Sequence, residues 1–292
     1  MGVISTTVLI LGGIGVIAAV VLYFVAKKFH VYENPKIAEI EELLPGANCG
    51  GCGMSGCHAF AKACAETDSL DGFNCTGAGK DIMEKISVIV GLEAKAGVRR
   101  VAVMKCHGGC KERQVVNNYD GVDSCAMEGT LYQGETDCNY GCLGRGDCVA
   151  SCIFDALHID PEIGIAVVDI DKCTGCGKCV KTCPRHLLEL VPVEPDKPIV
   201  WVACMNHDKG ALAMKECTLS CIGCGKCKRV CNHDAVTVDD FVAHIDPEKC
   251  VGCGECEGAC PRSSIHHIGD LRPELKGNPE TSDNKPAGSN EA

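Results

Sequence analysis

The chain opens with its longest apolar segment. Val3 to Ala26 carries no charged residue, and Lys27 and Lys28 follow it directly. At about 1.5 Å of rise per residue, a helix of this length crosses the ~30 Å hydrocarbon core of a bilayer. We therefore predict a single transmembrane anchor in residues 1–28. The positive-inside rule then puts the N-terminus outside and the rest of the chain on the cytoplasmic side of a bacterial cytoplasmic membrane.

After this segment the apolar residues follow shorter patterns. Helical spacing predicts an amphipathic helix over Asn34–Leu44, ended by Pro45-Gly46, and a second helix over Gly77–Leu92. Val98–Met104 and Ile199–Ala203 are typical of strands. A cleaved signal peptide is the alternative for the first segment, but it would need a basic stretch before the apolar one.

An approximate repeat occupies the second half of the chain. Each copy has cysteines on both sides of a segment with alternating apolar residues and a central turn, ALHIDPEIGIAVVDID in the first copy and AVTVDDFVAHIDPE in the second. Such segments predict β-hairpins. The predicted units are the anchor 1–28, a domain 33–92, a connecting region 98–137, module 1 in 138–190, module 2 in 199–268 and a polar, disordered tail 270–292.

Composition narrows the function. The net charge of −11 argues against binding to nucleic acid, whose phosphates require a basic surface. The chain has 26 cysteines in 292 residues, but disulfide scaffolds are typically short secreted domains. Its C-x2-C-x2-C triplets place thiols too close together for independent disulfides. We therefore expect metal-bound thiolates in a reducing compartment.

Eight of the cysteines fall in two runs of the form C-x2-C-x2-C-x3-C-P. The runs are Cys173, Cys176, Cys179, Cys183 with Pro184, and Cys250, Cys253, Cys256, Cys260 with Pro261. In bacterial ferredoxins this spacing binds [4Fe–4S] clusters, and the fourth cysteine ligates the neighbouring cluster. Zinc is the alternative, since four thiolates also bind zinc, but zinc ribbons use separated C-x2-C pairs.

These runs and the remaining cysteines predict five [4Fe–4S] clusters. The sets are Cys49, Cys52, Cys57 with Cys75; Cys138, Cys142, Cys148 with Cys183; Cys173, Cys176, Cys179 with Cys152; Cys221, Cys224, Cys227 with Cys260; and Cys250, Cys253, Cys256 with Cys231. Cys138 enters the second set because Arg145 stands where module 2 has Cys224. A sixth site of Cys106, Cys110 and Cys125 with Cys204 or Cys217 is left open. Cys64 is predicted to be a core residue.

The glycine-rich stretches belong to the cysteine loops and lack a βαβ context, so we expect no flavin or nucleotide on this chain. The pattern as a whole predicts an α+β fold. It consists of a single N-terminal transmembrane helix, a small [4Fe–4S] domain and tandem two-cluster ferredoxin-like modules.

An anchor followed by NCGGCGMSGC, Cys75 and ferredoxin modules resembles the B-subunit of the Rnf (Rsx) complex, over roughly residues 1–268. The complex is a membrane-bound, ion-translocating ferredoxin:NAD oxidoreductase. The resemblance implies that the chain takes electrons from soluble ferredoxin and passes them to membrane and flavin-bearing subunits. Na⁺ or H⁺ movement and NAD reduction would belong to those subunits. The alternative is a membrane-anchored polyferredoxin that donates to a reductase without ion pumping.

Overall fold

The structure is a computed structural model that describes residues 2–28, 34–93, 97–131, 133–194 and 196–272. It contains ten helices and eight strands within those ranges. The tail predicted for 270–292 lies outside the described residues beyond Arg272.

Helix α1 spans Val3–Lys28 and ends in two lysines. Its window Val8–Val25 has a mean hydropathy of 2.8, and every side chain in that window is exposed. It is the one helix in the described part of the chain that is long and apolar enough to cross a membrane. An exposed apolar surface of this size is costly in water, which favours a membrane around α1.

The domain after α1 contains three helices, α2 (Pro35–Leu43), α3 (Cys57–Glu66) and α4 (Gly79–Val90). The side chain of Asn34 accepts a hydrogen bond from the amide of Lys36 and so caps α2, while proline occupies the first turn. The helices bury a common apolar core: Ile37, Ile40, Leu44, Phe60, Ala61, Cys64, Leu70, Cys75, Ala78, Met83 and Ile86. This core gives the domain its own source of stability.

Each of the following modules has the same strand topology. In module 1, β1 (Arg100–Met104) pairs antiparallel with β4 (Leu188–Pro192), and β2 (Leu157–Ile159) forms a hairpin with β3 (Ala166–Val168). In module 2 the pairs are β5 (Ile199–Val202) with β8 (Ile265–Ile268), and β6 (Val236–Asp239) with β7 (Val242–Ile245). The sequence boundaries assigned β1 to the connecting region, whereas the structure pairs it with the last strand of module 1.

Six short helices lie between these strands in the described chain. They are α5 (Cys125–Leu131), α6 (Asp147–Ala150), α7 (Lys178–Thr182), α8 (Gly210–Glu216), α9 (Lys226–Val230) and α10 (Glu255–Ala259), and all except α8 contain a cysteine. Helices α6, α7, α9 and α10 each follow a glycine in the left-handed conformation. Only glycine adopts that conformation without steric cost, so these glycines allow the chain to turn sharply from a cysteine loop into a helix.

The two modules pack against each other through their outer sheets. Val101, Val103 and Val191 of module 1 form one buried cluster with Ile199 of module 2. The indole N–H of Trp201 donates to the carbonyl of Met104 at 2.9 Å. The modules therefore hold a defined position relative to each other.

We expect Ile86→Ala to destabilise the first domain by about 2–5 kcal/mol, because Ile86 is fully buried and its loss leaves a cavity. Chemical denaturation of the cluster-loaded chain measures this. Val88→Ala on the same helix is the control, since Val88 is 81% exposed, and it should change stability by less than about 0.5 kcal/mol. Equal effects of the two changes would contradict the packing described for α4.

Candidate metal centres

The cysteine loops owe their shape to glycines. In the first ferredoxin run, Gly175 and Gly177 flank Cys176 with φ values of 69° and 75°. A Cβ on Gly175 would lie 2.3 Å from the carbonyl oxygen of Arg100 on β1. Glycine is thus required here both for its conformation and for the close approach of the loop to β1.

Module 2 brings together both of its predicted thiol sets. Cys221, Cys224, Cys227 and Cys260 line one void of about 360 Å³, counted to its open mouth, and the amide of Ser264 donates to Sγ of Cys260 at 3.5 Å. The second set consists of Cys256 with Cys250, Cys253 and Cys231. Burial raises the pKa of Cys256 to about 12, and the charges of the other three thiols contribute in the same direction.

In module 1 the set containing Cys152 is also brought together. Burial raises the pKa of the Cys179 thiol to about 11, and the charges of Cys173, Cys176 and Cys152 contribute in the same direction. The amide of Ala102 donates to Sγ of Cys173 at 3.3 Å. Strand β1 therefore supplies a hydrogen bond to this set, although it lies 71 residues away along the chain.

The other set of module 1 differs from the sequence-based grouping. Its void, about 370 Å³ to the mouth, is lined by the thiol-bearing residues Cys125, Cys142, Cys148 and Cys183. Burial raises the pKa of Cys148 to about 12, and the charges of Cys142, Cys183 and Cys125 add to it. Cys138, expected in this set, lines a different void.

Arg145, the substituted position, and the nearby Asp147 hold Cys125 in place. Asp147 accepts hydrogen bonds from the amides of Cys125 and Ala126, both at 3.0 Å, at the start of α5. Arg145 donates to the fully buried carboxylate of Glu128 on the same helix at 2.7 Å. The arginine that replaces a cysteine in this loop therefore fixes the helix that brings in another cysteine.

Cys138 lies instead with Cys106, Cys204 and Cys217, which line a void of about 310 Å³ to its mouth. Cys110, included in the open sixth set, is exposed and donates to the carbonyl of Glu162 at 3.4 Å. That sixth set is thus divided by the structure. Cys106 joins both Cys204 and Cys217, whereas Cys110 and Cys125 lie elsewhere.

The first domain gathers Cys49, Cys52, Cys57 and Cys75. Sγ of Cys75 is near enough to Cys52 and Cys49 that their charges, after burial, raise its pKa. The amide of Cys57 donates to the side-chain oxygen of Asn48 at 2.7 Å, which ties the two ends of the loop. Cys64, predicted to be a core residue, is fully buried on α3.

This first cysteine loop touches module 1. A Cβ on Gly51 would lie 2.8 Å from Cα and 3.1 Å from Cβ of Cys176, and 2.7 Å from the hydroxyl of Thr76. Gly51 lies between Cys49 and Cys52, so cysteine loops of two different thiol sets are in direct contact here. The missing side chain of Gly51 is what permits that contact.

The surroundings of these thiols fit iron–sulfur clusters. No three Cys, His, Asp or Glu side chains among the described residues are placed to hold a single metal ion. Four buried polar atoms without a partner lie beside them: Thr76 Oγ1, Thr174 Oγ1, Arg113 Nε and Arg262 Nε. Hydroxyl and guanidinium groups of this kind can donate hydrogen bonds to cluster sulfur. Burial disfavours the charged thiolate form of these cysteines, and binding to iron stabilises that form.

Comparison with protein families supports several clusters. A 4Fe-4S dicluster domain matches residues 220–264, a 4Fe-4S binding domain matches residues 165–188, and an Fe-S cluster family matches residues 44–69. These segments contain cysteines of the thiol groups described above, in the first domain and in both modules. The chain therefore carries multiple iron–sulfur clusters.

Curated relatives cover most of the chain. The B-subunit of the Na⁺-translocating ferredoxin:NAD⁺ oxidoreductase complex of Acetobacterium woodii is 43% identical over 82% of this chain and 71% of its own length. The B-subunit of the ion-translocating oxidoreductase complex of Methanosarcina acetivorans is 37% identical over 90% of this chain and 98% of its own length. The chain belongs to this B-subunit family. The B-subunit of the proton-translocating ferredoxin:NAD⁺ oxidoreductase complex of Clostridium ljungdahlii is 35% identical over 80% of this chain and 81% of its own length.

Family membership confirms the fold class and the resemblance drawn from the sequence. The 4Fe-4S domains fit an electron-relay role within a multi-subunit oxidoreductase complex. The apolar helix α1 and the ion-translocating complexes of the relatives together indicate membrane association.

We expect Gly51→Ala to loosen the contact between the first domain and module 1. The new methyl group would overlap Cα of Cys176, and overpacking of this kind costs about 1–3 kcal/mol. Hydrogen exchange should become faster around residues 74–76 and 173–176 while the iron content stays unchanged. Gly258→Ala is the control, because nothing lies within 4 Å of its added Cβ. Unchanged exchange in Gly51→Ala would contradict the close contact.

Proposed function

We propose that this chain is the electron-relay subunit of a membrane-bound, ion-translocating ferredoxin:NAD oxidoreductase complex. It accepts electrons from reduced soluble ferredoxin and passes them to membrane and flavin-bearing subunits of the complex. The observation that carries this proposal is that four-thiol groups follow one another in contact through the protein, behind a helix able to span a membrane. Na⁺ or H⁺ transport and NAD reduction belong to the partner subunits.

The ligand sets follow the thiol groups. Each set has four cysteines: Cys49, Cys52, Cys57 and Cys75; Cys152, Cys173, Cys176 and Cys179; Cys125, Cys142, Cys148 and Cys183; Cys221, Cys224, Cys227 and Cys260; and Cys231, Cys250, Cys253 and Cys256. The third set contains Cys125 in place of Cys138, which the sequence suggested. The void lined by Cys125 and the anchoring of α5 by Asp147 and Arg145 support this exchange.

Contacts between ligand residues define a path within each module. In module 1, Cys179 of one set is close enough to Cys148 of the next for their charges to interact. In module 2, Cys227 and Cys256 stand in the same relation. The loop contact of Gly51 with Cys176 connects the first domain to module 1. Residues in contact thus join the two sets within each module and join the first domain to module 1.

Bound [4Fe–4S] clusters supply reversible one-electron redox chemistry, with potentials set by charge, hydrogen bonds to sulfur and exposure. The chain supplies those controls. Amides of Ala102 and Ser264 donate to ligand sulfur atoms at 3.3 Å and 3.5 Å. Such donors stabilise the more negative, reduced state, and the sets that receive more of them have the higher potentials.

Helix α1 is proposed to fix the relay beside its membrane acceptor. Lys27 and Lys28 at its end favour the cytoplasmic side for all the thiol groups. The first domain follows α1 directly in the chain and is therefore the unit closest to the membrane in sequence. We infer that electrons leave through it, and that soluble ferredoxin delivers them to the modules.

We expect Cys125→Ser to remove one cluster, with a loss of about four iron atoms and four sulfides per chain, because the third set would keep only three thiolates. Iron and acid-labile sulfide analysis of anaerobically purified protein measures the loss. Cys110→Ser is the matched control, since Cys110 is exposed and lies outside every proposed set. Full iron content in Cys125→Ser would exclude Cys125 as a ligand.

Deleting residues 2–28 tests the membrane role. The truncated protein should be soluble and still brown, because no thiol of the ligand sets lies in α1. Membranes that contain it in place of the full chain should lose ferredoxin-dependent NAD reduction. A chain with α1 replaced by an unrelated apolar helix separates simple anchoring from specific helix contacts. Wild-type activity of the truncated form in membranes would refute the proposed role of α1.

A further inference from the structure

Four buried cysteines that no family match accounts for meet where the two modules join. Cys106, Cys138, Cys204 and Cys217 are 7%, 5%, 9% and 6% exposed. They line one void of about 310 Å³, close to the 360 Å³ and 370 Å³ of two of the sets described above. The four thiols thus share a single void, as the members of each of those sets do.

The four positions are equivalent in pairs by the repeat of the two modules. Cys106 is the second residue after β1, and Cys204 is the second residue after β5. Cys138 precedes Cys142 by four residues, as Cys217 precedes Cys221. Each module therefore contributes the same two positions to the group.

Backbone contacts confirm this equivalence. The amide of Lys105 donates to the carbonyl of Leu187 at 2.7 Å, and the amide of Ala203 donates to the carbonyl of Ser264 at 2.8 Å. These bonds join the segments just beyond the paired strands in each module. A further bond from the amide of His107 to the carbonyl of Ala203, at 3.1 Å, joins the two segments directly. The backbone thus brings Cys106 and Cys204 together.

The group also touches a ligand set on each side. The amide of Cys142 donates to Sγ of Cys106 at 3.4 Å. In the equivalent position of module 2, the amide of Cys221 donates to the thiol of Cys204. Cys142 and Cys221 belong to the sets of module 1 and module 2 that face each other. The four thiols therefore lie between those two sets and contact both.

Polar groups around the void suit a negatively charged occupant. The amide nitrogen of the Asn206 side chain is 3.7 Å from Sγ of Cys138. Arg113 is buried against the void, and its Nε has no hydrogen-bond partner among the described residues. Its positive charge acts to lower the pKa of Cys138 and Cys217. A Cβ on Gly108 would lie 2.6 Å from Sγ of Cys217. Glu216 is buried beside Cys138 and accepts a hydrogen bond from the Asn206 side chain at 2.5 Å. This leaves the Nε of Arg113 as the buried donor that an acceptor in the void would compensate.

We propose that Cys106, Cys138, Cys204 and Cys217 hold a sixth [4Fe–4S] cluster that joins the two modules electronically. When an electron passes, a thiol-bound cluster in one module is oxidised by one electron and a cluster in the second module is reduced by one electron. No bond is formed or broken. The bridging role rests on the proposed relay function, but the presence of the cluster does not. The resulting order is first domain, module 1, bridge and module 2.

The cluster is tested by Cys217→Ser in the full-length, detergent-solubilised chain purified without oxygen. Iron and sulfide should each fall by about four per chain relative to wild type, with Cys110→Ser unchanged. Unchanged iron and sulfide in Cys217→Ser would overturn the proposal. So would a wild-type protein with one zinc ion that disappears in this variant.

Native mass spectrometry of the wild-type chain provides a test that does not depend on how the variant folds. Six bound clusters support the proposal, and five overturn it. Arg113→Gln adds a spectroscopic readout: removing the cation should lower the midpoint potential of one cluster in an EPR titration while the iron content is retained. Unshifted potentials for all clusters would contradict a redox centre beside Arg113.

The bridging role has its own readout, distinguishable from that of the proposed function. In stopped-flow reduction by ferredoxin, Cys217→Ser should lose the fast phase of the module farther from the point of entry. Loss of the cluster without loss of this phase would overturn the bridge but keep the site. Failure of wild-type ferredoxin to reduce any cluster would instead count against the proposed function.

Discussion

The structure depends on thiols gathered in groups of four, each with at least one buried member. Burial, with a smaller contribution from the charges of neighbouring thiols, raises the pKa of Cys148 and of Cys204 to about 12. A group of this kind forms thiolates only when a positively charged centre compensates their charge. The modules have few other sources of stability, because their sheets have only two strands each. Cluster binding and folding are therefore coupled in the modules, whereas the first domain has a helical core of its own.

The repeated module explains how such groups can be connected. One module encloses two thiol groups between its hairpin and its outer strand pair. Packing two modules through those outer sheets brings the residues just after β1 and β5 face to face. This packing places a further group of thiols at the junction, with each module supplying half of it. A soluble two-cluster ferredoxin has no partner module with which to form such a group.

Arg145 illustrates how a cysteine loop changes without loss of its thiol group. Where module 2 has Cys224, module 1 has a guanidinium that binds Glu128 of α5. Helix α5 then presents Cys125 to the same void. A local substitution in one loop is thus offset by a residue 20 positions earlier in the chain. The segment between β1 and Cys138 is longer than its counterpart between β5 and Cys217, and it has a structural role that its spacing does not reveal.

Most of the features that the sequence alone predicted depend on residues close together in the chain. The apolar length of α1, the left-handed glycines and the C-x2-C-x2-C runs depend on residues a few positions apart, so their spacing predicted the helix, the loops and four of the five thiol sets that the structure brings together. Only the tertiary structure decided three other features. Strand β1 pairs with β4, Cys125 rather than Cys138 lines the module 1 void, and Cys106 lies beside Cys204. Each joins segments separated by tens of residues, and the packing of the two modules, rather than any local spacing, determines which thiols share a void.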